Sequence, residues 1–167
     1  MTETLSPILP NEIEARAEAV LKRACEQGLT IATAESCTGG LVASVLTDVD
    51  GSAHAFERGF VVYSENAKCE LLDIRQDDID RYNAVSREIA LAMVEGALRA
   101  SKADIAVSVT GFAGQGGPDD EPGLVHFGCQ RKGRPSVHRE EHFGDVGRGA
   151  VRIACLDVVL SMLEEAL

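Results

Sequence analysis

The chain has 167 residues, 45% of them apolar, which suits a single domain with a real hydrophobic core and excludes intrinsic disorder. Sixteen Lys and Arg against 27 Asp and Glu leave a formal net charge of −11. A surface of that sign repels nucleic-acid backbones and anionic bilayers, so no nucleic-acid or membrane partner is expected, while a local nest of backbone N–H groups still permits a small anionic ligand.

Residues 1–10 read as a mobile lead-in and 11–167 as one domain. Asn11 and Glu14 form a capping-box pattern. Ile13, Ala17, Val20, Leu21 and Ala24 then recur at helical spacing through Cys25, and Gly28 is placed to end the helix. Leu29–Ala34 is a short apolar, β-branched run that predicts a buried strand. A helical pattern follows over Leu41–Leu46, then a second buried strand over Gly59–Tyr63 and a short helix over Ala67–Leu72. Ser86 is a cap for a helix carrying Ile89, Ala90, Met93, Val94, Ala97 and Leu98. Asp104–Thr110 predicts a third strand, and residues 111–122 a Gly/Pro/Asp loop. Leu124–Gln130 and Ser136–Phe143 flank the turn sequence RKGR as a hairpin. Residues 148–166 predict a last amphipathic helix. This order implies an α/β fold, a three-layer α/β/α sandwich with a mixed, about five-stranded sheet.

Five scattered cysteines without a CxxC pair fit free thiols in a reducing cytoplasm. The N-terminus lacks a secretory pattern, and no apolar run reaches the roughly 20 residues of a membrane span. The four histidines (His54, His126, His138, His142) show no metal-ligand motif. His138 and His142 would share a helix face, but their segment reads as a strand, and no metal is expected.

Sheets of this kind bind ligands beyond the carboxyl ends of their parallel strands. That rule selects three loops. In TAESCTGG (33–40), glycines open a helix whose unpaired N–H groups can hold a phosphate or a developing oxyanion, with Ser36 beside them. Ser36 or Thr38 can alternatively cap that helix. Cys37 is a rival nucleophile, though a small buried cysteine is commonly a packing residue. In GFVVYSENAK (59–68), Tyr63 ends the strand and Lys68 follows in the next helix. No Ser/His/Asp arrangement stands out, but a desolvated lysine falls from a pKa of about 10.4 and can serve as the base, with a tyrosine hydroxyl as relay. In VTGFAGQGG (109–117), the glycine spacing fails the dinucleotide fingerprint yet suits a backbone cradle. Downstream, Arg148 and Arg152 share a helix face at i, i+4.

TAESCTGG, the pattern GSxxxFxxGFVxYSxxAK from Gly51 to Lys68, AVS at 84–86 and VTGFAG at 109–114 resemble the CinA C-terminal domain family, over residues 11–165. The resemblance implies an amidohydrolase that deamidates nicotinamide mononucleotide to nicotinate mononucleotide and ammonia through a serine nucleophile, in pyridine-nucleotide salvage. It implies a small-molecule substrate, no metal or organic cofactor, and a homo-oligomer. Carried onto this chain, Ser36 is the nucleophile, and Tyr63 and Lys68 activate it. Thr38, Gly39 and Gly40 line the nucleotide pocket with Thr110, Gly111 and Gly114. Cys37, Ala113 and Arg148 join the candidate substrate-binding residues, as does Glu35, which would orient Lys68 or face a cationic ring. The chain departs from the family pattern at Gln115 (usually proline), at Leu124 (usually threonine) and at Val146-Gly147, which interrupt a Gly-Asp-Arg stretch. Two alternatives remain: a non-catalytic nucleotide-binding regulatory module, and an amidase for a different amide.

Overall fold

The computed structural model describes residues 9–51 and 53–167. In chain order the elements are α1 (Asn11–Gln27), β1 (Ile31–Glu35), α2 (Leu41–Thr47), a 3₁₀ turn (Ala53–Ala55), β2 (Phe56–Val61), α3 (Glu65–Leu72), α4 (Gln76–Tyr82), α5 (Arg87–Arg99), β3 (Ile105–Gly111), β4 (Leu124–Arg131), β5 (Val137–His142) and α6 (Arg148–Ala166). The strands form one sheet in the order β2-β1-β3-β4-β5. β2, β1 and β3 run parallel, while β4 and β5 are antiparallel to their neighbours.

Alternation along the strands divides the apolar side chains between two cores. Ile31, Val107, Val109, Val125 and Phe127 pack with α1, α2 and α6. Ala32, Ala34 and Ala106 pack with Leu72 of α3, Ile79 of α4, and Ile89 and Met93 of α5. The sheet is thus the middle of three layers. Small residues on the second face let α5 lie close: a Cβ at Gly128 would meet the Ala90 carbonyl at 2.8 Å. α5 itself approaches α3 through Gly96, where a Cβ would lie 2.4 Å from the Leu72 carbonyl oxygen. Because that neighbour is backbone, Gly96→Ala is expected to lower stability by about 2–3 kcal/mol through overpacking, measurable by urea unfolding.

The mixed five-stranded α/β architecture matches the sequence reading, with local differences. Asn11 is the first residue of α1 rather than its cap, with Pro10 in the cap position and no side-chain cap bond. Gly28 ends the helix as expected, in the left-handed region at φ 66°. β2 starts earlier than expected and is an edge strand with exposed positions, not a buried one. α4 carries no apolar periodicity in the sequence, because Ile79 is its one buried residue. α6 buries Val151, Cys155, Leu156, Val158, Val159 and Leu160, more than a single stripe, because it meets both the sheet and neighbouring helices. Of the expected lead-in, residues 1–8 lie outside the described residues, and Leu9 packs against the α1 core.

β1 sits between β2 and β3. The chain leaves it for β2 through α2, on one face, and returns to β3 through α3–α5, on the other. The carboxyl ends of β1 and β3 therefore flank the point where the strand order reverses, the place such sheets build a cleft.

Candidate active site

The loop after β1 is held from inside the protein. Glu35 is 1% exposed, and its carboxylate accepts N–H bonds from Gly40 (3.1 Å), Val42 (3.0 Å) and Ala43 (2.8 Å). A negative charge against a helix start is favoured by the unpaired N–H groups and the helix dipole. Gly39 and Gly40 make the turn into α2 in the left-handed region, at φ 58° and 93°. From the other side, Arg152 Nη2 of α6 donates to the Thr38 carbonyl at 2.8 Å. The Ser36 amide bonds the Val109 carbonyl at 2.9 Å, fixing the loop to β3.

These contacts correct the expected role of Glu35. It makes no bond to Lys68 and lies outside the cleft lining; its carboxylate caps the start of α2. Ser36 is thereby freed from capping. Glu35→Ala would strand three N–H groups and is expected to cost about 3 kcal/mol of stability, checked by denaturant unfolding.

Ser64 caps α3, accepting from the Ala67 amide at 3.1 Å, and the first turn carries Lys68 inward. Lys68 is 1% exposed. Its Nζ lies 3.0 Å from Ser36 Oγ, 2.9 Å from the Val62 carbonyl and 3.5 Å from the Tyr63 carbonyl. Among the described residues no carboxylate pairs with it, and burial lowers its pKa below the ordinary lysine value. As a donor, Nζ faces the Ser36 hydroxyl oxygen and the two carbonyls, and the lowered pKa makes loss of its proton, and so service as a base toward Ser36, easier than for an exposed lysine. The expected tyrosine relay is absent from this geometry. Lys68 meets Ser36 directly, while the Tyr63 side chain stands 68% exposed at the rim.

Cys37 is buried and interacts with the thiol of Cys155 in α6, an interaction that lowers the pKa of Cys37 and raises that of Cys155. That engagement fits the packing role more than the nucleophile role.

The third loop closes the cleft. Thr110 Oγ1 donates to the Ala84 carbonyl at 2.8 Å, joining β3 to the segment before α5. Gly111 is required by close approach, since a Cβ there would lie 2.7 Å from the Leu124 carbonyl. Gln115 Nε2 donates to Asp145 Oδ2 at 3.2 Å. The departure at Gln115 thus meets Asp145, just before the Val146-Gly147 interruption, and ties the third loop to the entry of α6.

The resulting cleft, about 550 Å³, is lined by Ser36, Cys37, Tyr63, Lys68, Thr110, Gly111, Ala113, Gly114 and Arg148 among others. Glu35, Thr38, Gly39 and Gly40 stand outside this lining; they shape the loop from behind. Phe112, Glu65 and Asp120 line the cleft and were not singled out in the sequence. In the first loop, the Gly39 and Leu41 amides bond to Ser36 and Thr38 carbonyls, and Glu35 takes those of Gly40, Val42 and Ala43. The Cys37 and Thr38 amides are left without an oxygen acceptor among the described residues. They are the unpaired backbone donors that follow Ser36 in the chain.

A sequence model described as the CinA C-terminal domain matches residues 13–167. The chain belongs to the CinA C-terminal domain family. Among its relatives, the nicotinamide-nucleotide amidohydrolase PncC of Escherichia coli K12 is 46% identical over 129 residues, covering 75% of this chain and 77% of that protein. The PncC of Enterobacter agglomerans is 43% identical over 146 residues, 86% of each. A CinA-like protein of Leptospira borgpetersenii is 45% identical over 120 residues, but these are only 29% of that longer protein. The crystal structure of a competence/damage inducible protein, CihA, from Agrobacterium tumefaciens superposes with a TM-score of 0.92 at 39% identity, covering 99% of both chains. A CinA superfamily structure from Escherichia coli gives 0.87 at 31% identity, covering 93% of this chain and 90% of that one. Among the described residues, no helix is long and apolar enough to cross a membrane.

Proposed function

We propose that this enzyme hydrolyses the carboxamide of nicotinamide mononucleotide, with Ser36 as nucleophile and Lys68 as its base. The observation that carries this reading is the buried 3.0 Å contact between Lys68 Nζ and Ser36 Oγ on the cleft wall. The other serine of the cleft lining, Ser64, is engaged in capping α3.

Neutral Lys68 accepts the Ser36 proton as Oγ attacks the carboxamide carbon. The carbonyl oxygen becomes an oxyanion, which the Cys37 and Thr38 amides are available to stabilise. When the tetrahedral intermediate collapses, the Lys68 ammonium returns the proton to the departing nitrogen, and ammonia leaves. Water, deprotonated by Lys68, then cleaves the ester on Ser36 and releases nicotinate mononucleotide. Lys68 acts in both halves, so no second base is needed.

The rest of the cleft is matched to this substrate class. Arg148, beside Gly114, supplies positive charge for the phosphate that the −11 chain as a whole repels. Glu65 and Asp120 supply negative charge toward the cationic pyridinium. The exposed Tyr63 ring is left to flank that ring rather than to relay a proton. The five cysteines are free thiols, in keeping with a reducing cytosol, where the product would enter pyridine-nucleotide salvage.

The deciding measurement is ammonia release by the purified chain. Nicotinamide mononucleotide should be turned over at a rate proportional to enzyme, and an amide panel should rank it first. Tight binding of the nucleotide without ammonia would point to a binding module instead, and a better amide in the panel would reassign the substrate.

A further inference from the structure

A second cluster of chemistry-bearing side chains lies on the β4–β5 hairpin, outside the residues that line the cleft although His126 pairs with Thr110 of β3, and it does not rest on the amidase reading. The register sets His126 opposite Glu140 and Gly128 opposite His138. All three side chains therefore share one face of the sheet. It is the face toward α5, because Val125, Phe127 and Cys129 occupy the opposite one with α6. His126 is 7% exposed. Its Nδ1 lies 3.1 Å from His138 Nε2 and 3.5 Å from Glu140 Oε2. The three ligand atoms all fall within 4.8 Å of one another.

We propose that His126, His138 and Glu140 bind one divalent transition-metal ion of the zinc class. Bonds of 2.0–2.1 Å in a tetrahedron put neighbouring ligand atoms about 3.3–3.4 Å apart. The two measured separations straddle that value before any ion draws the groups in. Two imidazoles and one carboxylate, without a thiolate, select zinc, cobalt, nickel or copper(II) over calcium and magnesium. The fourth position opens to solvent, since the Glu140 side chain is 44% exposed. A supporting shell is also present. The other Glu140 oxygen, Oε1, meets His142 Nε2 at 2.9 Å, and His142 Nδ1 meets Glu121 at 2.6 Å. Such contacts orient a ligating carboxylate. The linear sequence conceals this set because only the hairpin register brings residue 126 to 138 and 140.

Titration of chelator-treated protein with cobalt(II), followed by calorimetry and visible absorption, tests the site. One equivalent per chain is expected, with nitrogen/oxygen-type bands, no thiolate-to-cobalt charge transfer, and displacement by zinc. His138→Gln, at a half-buried position, and Glu140→Gln, at an exposed one, should each weaken binding roughly a hundredfold, and His142→Gln about tenfold. Far-ultraviolet circular dichroism confirms that the variants are folded. Uptake well below one equivalent, a thiolate band that puts the metal on cysteine, or unchanged affinity in the folded His138 and Glu140 variants would each overturn the site.

Discussion

Ser36→Ala removes ammonia release from nicotinamide mononucleotide almost completely, by at least about 10,000-fold in kcat, while the chain stays folded; this is the expected result if the proposed nucleophile is right. The magnitude follows from chemistry rather than from a lost contact. Without Oγ no acyl-enzyme forms, and what remains is whatever the cleft achieves by binding and by its N–H donors alone. The fold is expected to survive because little depends on the hydroxyl. α2 is capped by Glu35, the loop is fixed to β3 through the Ser36 amide, and Arg152 holds the Thr38 carbonyl. The lost Lys68–Ser36 bond costs about 1 kcal/mol. Substrate affinity, read by calorimetry, should stay within a few-fold of the native value. A variant keeping more than a tenth of the native rate would end the serine mechanism, even with ammonia release by the native protein intact.

The difference between Glu35 and Ser36 shows where sequence reasoning stops. Both lie in one octapeptide, and glycines after a buried strand are enough to predict a turn into a helix with a polar residue at its start. Which polar residue becomes the cap depends on where the axis of α2 begins relative to β1. Glu35 reaches the Gly40, Val42 and Ala43 amides only because the left-handed Gly39 and Gly40 fold the chain back over it. The same limit applies to Lys68. A lysine five residues beyond a strand is ordinary by pattern, and its separation from Ser36 is 32 residues. It becomes a candidate base because β2 lies parallel beside β1, so that their carboxyl ends emerge together. The relay expected of Tyr63 followed from placing its side chain, rather than its carbonyl, toward Lys68. The strands and most helices were legible because their burial patterns are local. α4, with a single buried residue, and the edge position of β2 are set by neighbours that the linear pattern does not name.

Lys68→Met separates the catalytic from the structural contribution of the buried amine. Methionine is close in length and apolar, and it enters a site that is 1% exposed. The expected kcat is at least about 1,000-fold below native, since the base that activates Ser36 and protonates the leaving nitrogen is gone. Stability should move the other way. A buried ammonium without a carboxylate partner is costly, and apolar replacement of such groups is often neutral or stabilising. At pH 7 the variant is expected to melt no lower than the native protein. The pH dependence gives the sign. Burial lowers the folded pKa of Lys68 below its unfolded value, so between the two the unfolded chain binds more protons. In that window native stability contributed by this group rises with pH. The stability advantage of Lys68→Met should therefore shrink as pH increases toward the ordinary lysine range, and comparing the two proteins at each pH cancels the repulsion of the −11 background. The same titration governs rate: native kcat/KM should climb with pH through a midpoint below that of free lysine, then level off, and the residual activity of Lys68→Met should lack this limb. A methionine variant that retains native activity, or one that keeps the limb unchanged, would assign the proton transfer to another group in the cleft.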